Sequence, residues 1–260
     1  NAYDDEVWLR DPYLHRVTHN GKTKFHLIHT WGWDHPALFH WESDDLIHWT
    51  AANGGTRTDD GKIMLMDGHD GGPVSPNAWA PEFTYDGQTG TFYLYWSSRI
   101  GDRQVHHYCT TKDWLTFSTP AVYFDPGFTA IDMTILKEGD TYYAYYKDER
   151  NGEKTIRCAT SKSLDPRVQR FEGSTPLLPS RYIEVEGPEV FPAIGGKGWF
   201  LYFDKFNGDR GVSYTGCTDP SQHKWYPIPD DEIRNPTEVK HGSVEIISTA
   251  ELEKLLEHFK

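Results

Sequence analysis

The sequence predicts an all-β fold: a five-bladed β-propeller with a short C-terminal helix, its last blade incomplete. Three observations predict it. An aromatic strand ending in a tight turn recurs at residues 25–31, 92–98, 142–148 and 199–205, with steps of 67, 50 and 57 residues between starts. Another apolar strand precedes each one, at residues 10–14, 79–83, 131–135 and 186–191. After each comes a second strand and a loop closing on a bulky residue, Trp49, Phe117, Phe171 or Trp225. Repeats of this length fit propeller blades, whose sheets bury their faces only against neighbouring blades.

The elements follow in order. Asn20-Gly21, Asp86-Gly87 with Thr89-Gly90, Gly139-Asp140 and the glycine-rich 195–198 stretch supply hairpin turns between the first and second strands of the four units. Residues 59–76, rich in Gly and Asp and without periodicity, read as a long loop between blades one and two at the channel rim. Residues 91–96 and 141–146 alternate but are aromatic on both faces, which suits strands sandwiched between blades. Residues 241–247 read as one more innermost strand, leaving a fifth blade without outer strands unless residues 1–8 supply one. Ser248 and Glu251 form a capping box that opens a helix, and Leu252, Leu255, Leu256 and Phe259 make a stripe expected to dock on the propeller. Residues 1–260 are expected to form a single catalytic domain, a usual size for a closed all-β domain.

Composition narrows the partners. Aromatics make up 15% of the chain, with 10 Trp, 15 Tyr and 13 Phe, most of them expected in the wedges between blades and a few as sugar-stacking faces. The net charge of −13 repels nucleic acid and anionic membranes, so a neutral substrate is the expected partner. No run of about 20 apolar residues is present, so no span of a bilayer is expected. A secreted or periplasmic location is expected, with the signal removed from this sequence and a cytoplasmic location as the alternative. Cys109, Cys158 and Cys217 occupy the same repeat position in successive blades, too far apart for a disulfide, and read as buried small hydrophobes.

The first strand of a propeller blade runs along the central channel. Asp11, Asp132 and Glu186, far apart in sequence, are therefore expected to converge on one spot. Asp11 and Asp132 interrupt otherwise apolar strands, where an unpaired charge is costly. Glu186 has rivals in Glu184 and Glu189; Glu184 shares its face because the two are two residues apart on a strand. Asp148 reads as structural. The pairs His26/His29 and His106/His107 lack zinc-site spacing and a third ligand, and residues 67–71 fail the EF-hand pattern. Trp31, Trp33 and Trp79 are candidate substrate walls, and Arg210 a candidate partner for a sugar hydroxyl.

Arg10-Asp11-Pro12, Trp79-Ala80-Pro81-Glu82, Ile131-Asp132, Glu186-Gly187-Pro188 and Lys240-His241-Gly242-Ser243-Val244 stand in the order and spacing of glycoside hydrolase family 43, which the chain resembles over nearly its whole length. The resemblance implies an inverting glycosidase on a five-bladed propeller, acting mostly on arabinofuranosides and xylosides. It implies Asp11 as general base, Asp132 as the carboxylate that orients and tunes the acid, and Glu186 as general acid. His241 matches a histidine facing a metal ion or water cluster. No cofactor is expected to be required; a structural Ca²⁺ or water cluster near His241 is the expectation there.

Inverting hydrolysis needs an acid at the leaving oxygen and a base for a water on the opposite face, with carboxyls roughly 6.5–9.5 Å apart. Burial and a neighbouring carboxylate, Asp132, would keep Glu186 protonated; Arg10 or a backbone donor would keep Asp11 ionised. An exo-acting α-L-arabinofuranosidase is the leading expectation. A β-D-xylosidase comes second and a non-catalytic sugar-binding propeller third. The invertase-like propellers carry Trp-x-Asn-Asp-Pro and Glu-Cys motifs, which this sequence lacks.

Overall fold

The computed structural model describes residues 9–51, 61–178, 184–195, 198–206, 211–229, 231–233 and 240–260. Four antiparallel meander sheets follow one another along the chain in the expected β-propeller arrangement, making four blades among the described residues where five were expected. The first comprises β1 (Arg10–His19), β2 (Lys22–Thr30), β3 (Ala37–Ser43) and β4 (Thr50–Ala51), with β5 (Lys62–Met64) also pairing β3. The second is β6 (Trp79–Asp86), β7 (Thr91–Ile100), β8 (Arg103–Thr111) and β9 (Ala121–Phe124). The third is β10 (Ala130–Glu138), β11 (Thr141–Asp148), β12 (Ile156–Ser161) and β13 (Glu172–Pro176). The fourth is β14 (Val185–Pro192), β15 (Trp199–Lys205), β16 (Gly211–Cys217) and β17 (Tyr226–Ile228). Part of the expected 59–76 loop is thus ordered as β5, because His40 N donates to the Gly61 carbonyl at 2.9 Å and the strand then completes the outer side of β3.

The two-sided aromatic pattern has a direct consequence in packing. On β7, Phe92, Leu94 and Trp96 pack toward blade one with Ile28, Leu38 and Trp114. Tyr93 and Tyr95 turn the other way, toward Tyr123, Met133 and Ala144 of the next wedge. β11 repeats the arrangement: Ala144 and Tyr146 face back, while Tyr143 and Tyr145 join Leu201, Phe203 and Trp225. Period-two strands that are apolar on both faces can be satisfied only between two sheets. The three cysteines are buried and form no disulfide with one another, as the repeat spacing implied.

The innermost strands β1, β6, β10 and β14 share one irregularity. Pairing with the second strand slips between Arg10 and Tyr13, Trp79 and Glu82, Ile131 and Thr134, and Glu186 and Glu189. At the slip, Asp11, Ala80, Asp132 and Gly187 have φ of 48°, 43°, 53° and 57°. Such bulges re-aim side chains and favour strand ends beside active sites. Three of the four are non-glycine residues in a sparsely populated backbone region, a strain held by surrounding structure.

Residues 241–247 run from blade four to blade one without forming a strand, unlike the expectation for this segment. Side chains make the bridge instead. Leu14 N donates to Ser243 Oγ at 2.6 Å, Arg16 N to Glu245 Oε2 at 2.9 Å, and Val244 N to Glu189 Oε1 at 3.3 Å. The proposed contribution of residues 1–8 lies outside the described residues. The helix α1 (Thr249–His258) begins at Ser248 with its capping box in place. Its stripe does not dock as expected: Leu252, Leu256 and Phe259 are 45%, 60% and 70% exposed. Polar contacts hold this helix, chiefly Arg16 to Glu251 at 2.9 Å, so it lies along the bridge and not over a blade face. It is the one helix of any length among the described residues, and none is long and apolar enough to cross a membrane.

Candidate active site

The bulges deliver the acidic residues to one place. Asp11, Asp132 and Glu186 line a pocket of about 410 Å³, with His241, Lys147 and Lys240 among them and Trp33 and Trp79 on its wall. Asp11 is fixed by Thr30, whose hydroxyl donates to Asp11 Oδ2 at 3.0 Å and accepts from Ala80 N at 2.9 Å. Burial pushes the Asp11 carboxyl up, against the opposing charge of His241.

Asp132 Oδ2 accepts from Gly187 N at 3.1 Å and lies 3.3 Å from His241 Nε2, while Asp132 N donates to Ser97 Oγ at 3.2 Å. Burial would raise this carboxyl, but the His241 charge and hydrogen bond, with Lys147 and Gly187, outweigh it and hold it below its usual value.

Glu186 carries two cations. Lys147 Nζ lies 2.8 Å from Oε2 and Lys240 Nζ 3.2 Å from Oε1. Burial and Asp132 push its carboxyl up, yet Lys147 prevails and the net direction is down. Of its rivals, Glu189 faces the channel one layer lower, where Thr134 Oγ1 and Val244 N donate to it. Glu184 is outside the pocket lining, its backbone N bonded to the Lys154 carbonyl at 2.6 Å.

Asp204 and Asp132 grip His241 from both sides. Nδ1 lies 2.6 Å from Asp204 Oδ2, His241 N donates to the same oxygen at 2.9 Å, and Nε2 faces Asp132. Burial disfavours the imidazolium, but Asp132, Asp204 and Asp11 outweigh it and raise the ring well above its usual value. Both ring nitrogens therefore donate. Gly187 makes room for this ring: a Cβ there would stand 2.7 Å from Nδ1.

Residues 5–253 match the family described as "Probable glycosyl hydrolase domain", a relative of glycoside hydrolase family 43. The chain belongs to that family. It is 28% identical over 233 residues to an α-L-arabinofuranosidase of Bifidobacterium longum subsp. longum, covering 72% of this chain and 21% of that protein. The chain thus spans about a fifth of the length of that curated relative. Its fold is similar to the family 43 protein GH43B of the Bacteroides ovatus xyloglucan locus, at TM-score 0.63 and 18% identity over 89% of this chain and 42% of that one. It is also similar to RS223-β-xylosidase, at TM-score 0.67 and 13% identity over 93% and 83%, and to the arabinanase Arb43A of Bacillus subtilis, at 0.58 and 14% over 86% and 81%.

Within this family 43 chain the candidate substrate residues divide. Trp33 is 58% exposed at the pocket, with the Arg10 guanidinium 3.7 Å above its ring, and its carbonyl accepts from Trp79 Nε1 at 2.7 Å. The two indoles meet edge to face at 5.6 Å. Trp31 stands apart, stacked on His35 at 4.1 Å with Lys62 over its other side, and is not part of the pocket lining. Arg210 lies outside the described residues.

The ligand atoms of Asp132, Glu186 and His241 fall within 4.8 Å of one another, which suits a cation by spacing. Each of these groups already has partners: Asp132 and Asp204 stand at the two ring nitrogens of His241, and Lys147 and Lys240 at Glu186, so a cation would compete with two carboxylates for the ring and with two ammonium groups for Glu186. Asp148 is structural as expected, fully buried and paired with Arg150 and Arg157.

Lys147, Thr30 and Asp204 escaped the sequence reading. Each sits near the end of a second strand, on β11, β2 and β15, level with the bulge of its own blade. That shared register is a signal the sequence contained.

Proposed function

We propose that this chain is the catalytic domain of an inverting, exo-acting glycoside hydrolase that removes α-L-arabinofuranosyl units from a neutral oligosaccharide or polysaccharide. What carries the reading is the convergence of Asp11, Asp132 and Glu186, from three different blades, on one pocket with an indole wall. The likeness to the Bifidobacterium longum arabinofuranosidase supports the choice of sugar.

In this reading Asp11 accepts the proton of the attacking water, oriented by Thr30. Glu186 donates a proton to the leaving oxygen, and Asp132, anchored by His241 and Gly187, orients Glu186 through its charge. The electrostatics of the pocket add a condition. Lys147 and Lys240 hold Glu186 ionised, so a bound sugar must draw the carboxyl away from at least one ammonium before it can act as an acid. That pairing also favours a second reading, a sugar-binding propeller without catalysis.

The deciding experiment is release of nitrophenol from α-L-arabinofuranoside and β-D-xyloside, comparing the wild type with Asp11→Asn and Glu186→Gln. Hydrolysis of the arabinofuranoside that drops by about 10²–10⁴-fold in each variant supports the proposal. Hydrolysis of the xyloside alone would replace the sugar. Equal background in all three proteins, with sugar binding retained, would replace catalysis by binding.

A further inference from the structure

The catalytic reading leaves a second group of ligand-type side chains unused, in blade one. On the β2–β3 ladder, His26 pairs directly with Glu42, and His40 stands two residues from Glu42 on the same face. His26 Nδ1 lies 3.0 Å from His40 Nε2 and 3.8 Å from Glu42 Oε1, and all three ligand atoms fall within 4.8 Å of one another. Ligands held about 2.0–2.1 Å from a tetrahedral zinc ion stand roughly 3.3 Å apart. The two separations from His26 Nδ1, 3.0 and 3.8 Å, bracket that spacing.

The surroundings agree. Trp114 of blade two stacks on His40 at 3.6 Å and on His26 at 5.2 Å, fixing both rings. Lys24 Nζ bonds Glu42 Oε2 at 2.6 Å and leaves Oε1 toward the histidines. His26 and Glu42 border a groove of about 300 Å³, which Lys24, Lys112 and Asp113 also line, so a fourth position is open to water. Burial lowers both imidazoles, His26 to about 3, which favours the neutral rings that metal ligation requires. His40 Nδ1 is buried with no hydrogen-bond partner, and Nε2 faces His26 Nδ1, the contact that an ion between them would replace. Neither histidine has a carboxylate on both nitrogens, unlike His241.

We propose that His26, His40 and Glu42 form a site for a divalent transition-metal ion of the zinc type, separate from the catalytic pocket. The ion would cross-link β2 to β3 beneath the ring of Trp114. Lys24 and Lys112 oppose a cation here and Asp113 favours one, so the bond set and not the field must hold it.

The test is titration of the chelator-treated chain with Co²⁺, whose visible absorption is intense in tetrahedral and weak in octahedral coordination. One equivalent giving the tetrahedral spectrum, displaced by Zn²⁺, is expected. Glu42→Gln should lower the Co²⁺ affinity at least tenfold, and His26→Gln should abolish the spectrum. Zn²⁺ should raise Tm in the wild type and not in Glu42→Gln. Should His26→Gln fail to fold, partly exposed Glu42 still decides the matter. An octahedral spectrum only, or equal binding by wild type and Glu42→Gln, would overturn the proposal and assign any uptake to other histidines.

Discussion

Lys147 Nζ lies 2.8 Å from Glu186 Oε2, although the two residues come from different blades. Lys147 is buried on β11 with its ammonium 4.2 Å from the Phe206 ring and also paired with Glu149. A proposed general acid is thereby held toward its ionised form by a buried neighbour.

This pairing predicts a pH effect of definite sign. An acid catalyst works only while protonated, so a lowered Glu186 value moves the basic limb of the pH–rate profile down. Lys147→Met removes the charge and should move that limb of kcat/KM up by about 1–3 pH units. Profiles of wild type and variant, measured on the same substrate, check it. A limb that does not move would show that Glu186 is not the titrating acid.

Gly187 is the position with least tolerance. Its φ of 57° and the 2.7 Å approach of a Cβ to His241 Nδ1 both resist any side chain. Gly187→Ala should cost about 1–3 kcal/mol of stability and should also displace His241 from Asp132. Urea unfolding and kcat together test this. Loss of stability with unchanged kcat would separate the ring from catalysis.

One layer beneath the proposed catalytic acids, Glu82 and Glu189 lie near Tyr13 and Thr134, with no basic partner among the described residues. Burial raises both carboxyls, with each other's charge adding to Glu82, and Glu189 reaches about 8. The native state then binds more protons than the unfolded state between about pH 4.5 and pH 8. Stability should therefore fall as pH rises through that window, by up to about 1.4 kcal/mol per pH unit for such a group. Glu189→Gln should flatten this slope in urea unfolding measured at several pH values. Parallel slopes would mean that Glu189 ionises freely in the fold.

Trp33 offers an exposed ring at the pocket with Arg10 stacked over it. Trp33→Ala should raise KM by roughly 5–10-fold, about 1 kcal/mol of stacking, with little change in kcat. A large fall in kcat instead would place the indole at the reacting sugar.

Much of the fold was legible because it depends on local chemistry. Alternating aromatics on residues 91–96 and 141–146 required two buried faces, and both strands found them. The Asn20-Gly21 turn, with φ of 50° and 74°, needed only two residues. Helix α1 was legible in its cap and misleading in its stripe, because a capping box is satisfied within the helix while a stripe needs something to cover it.

By itself the sequence determined the four repeated units, their inner strands and the candidate acids, since strand period, turn residues and costly charges in apolar strands are all local statements; the bulges that aim those acids appeared only in the structure. Tertiary structure alone decided how those acids are charged. The Lys147–Glu186 pair and the two aspartates on His241 join residues 39, 109 and 37 positions apart, and His26 meets His40 from 14 positions away, brought together by blade packing and strand register. Protonation depends on distance in space, and at these separations sequence distance does not encode it.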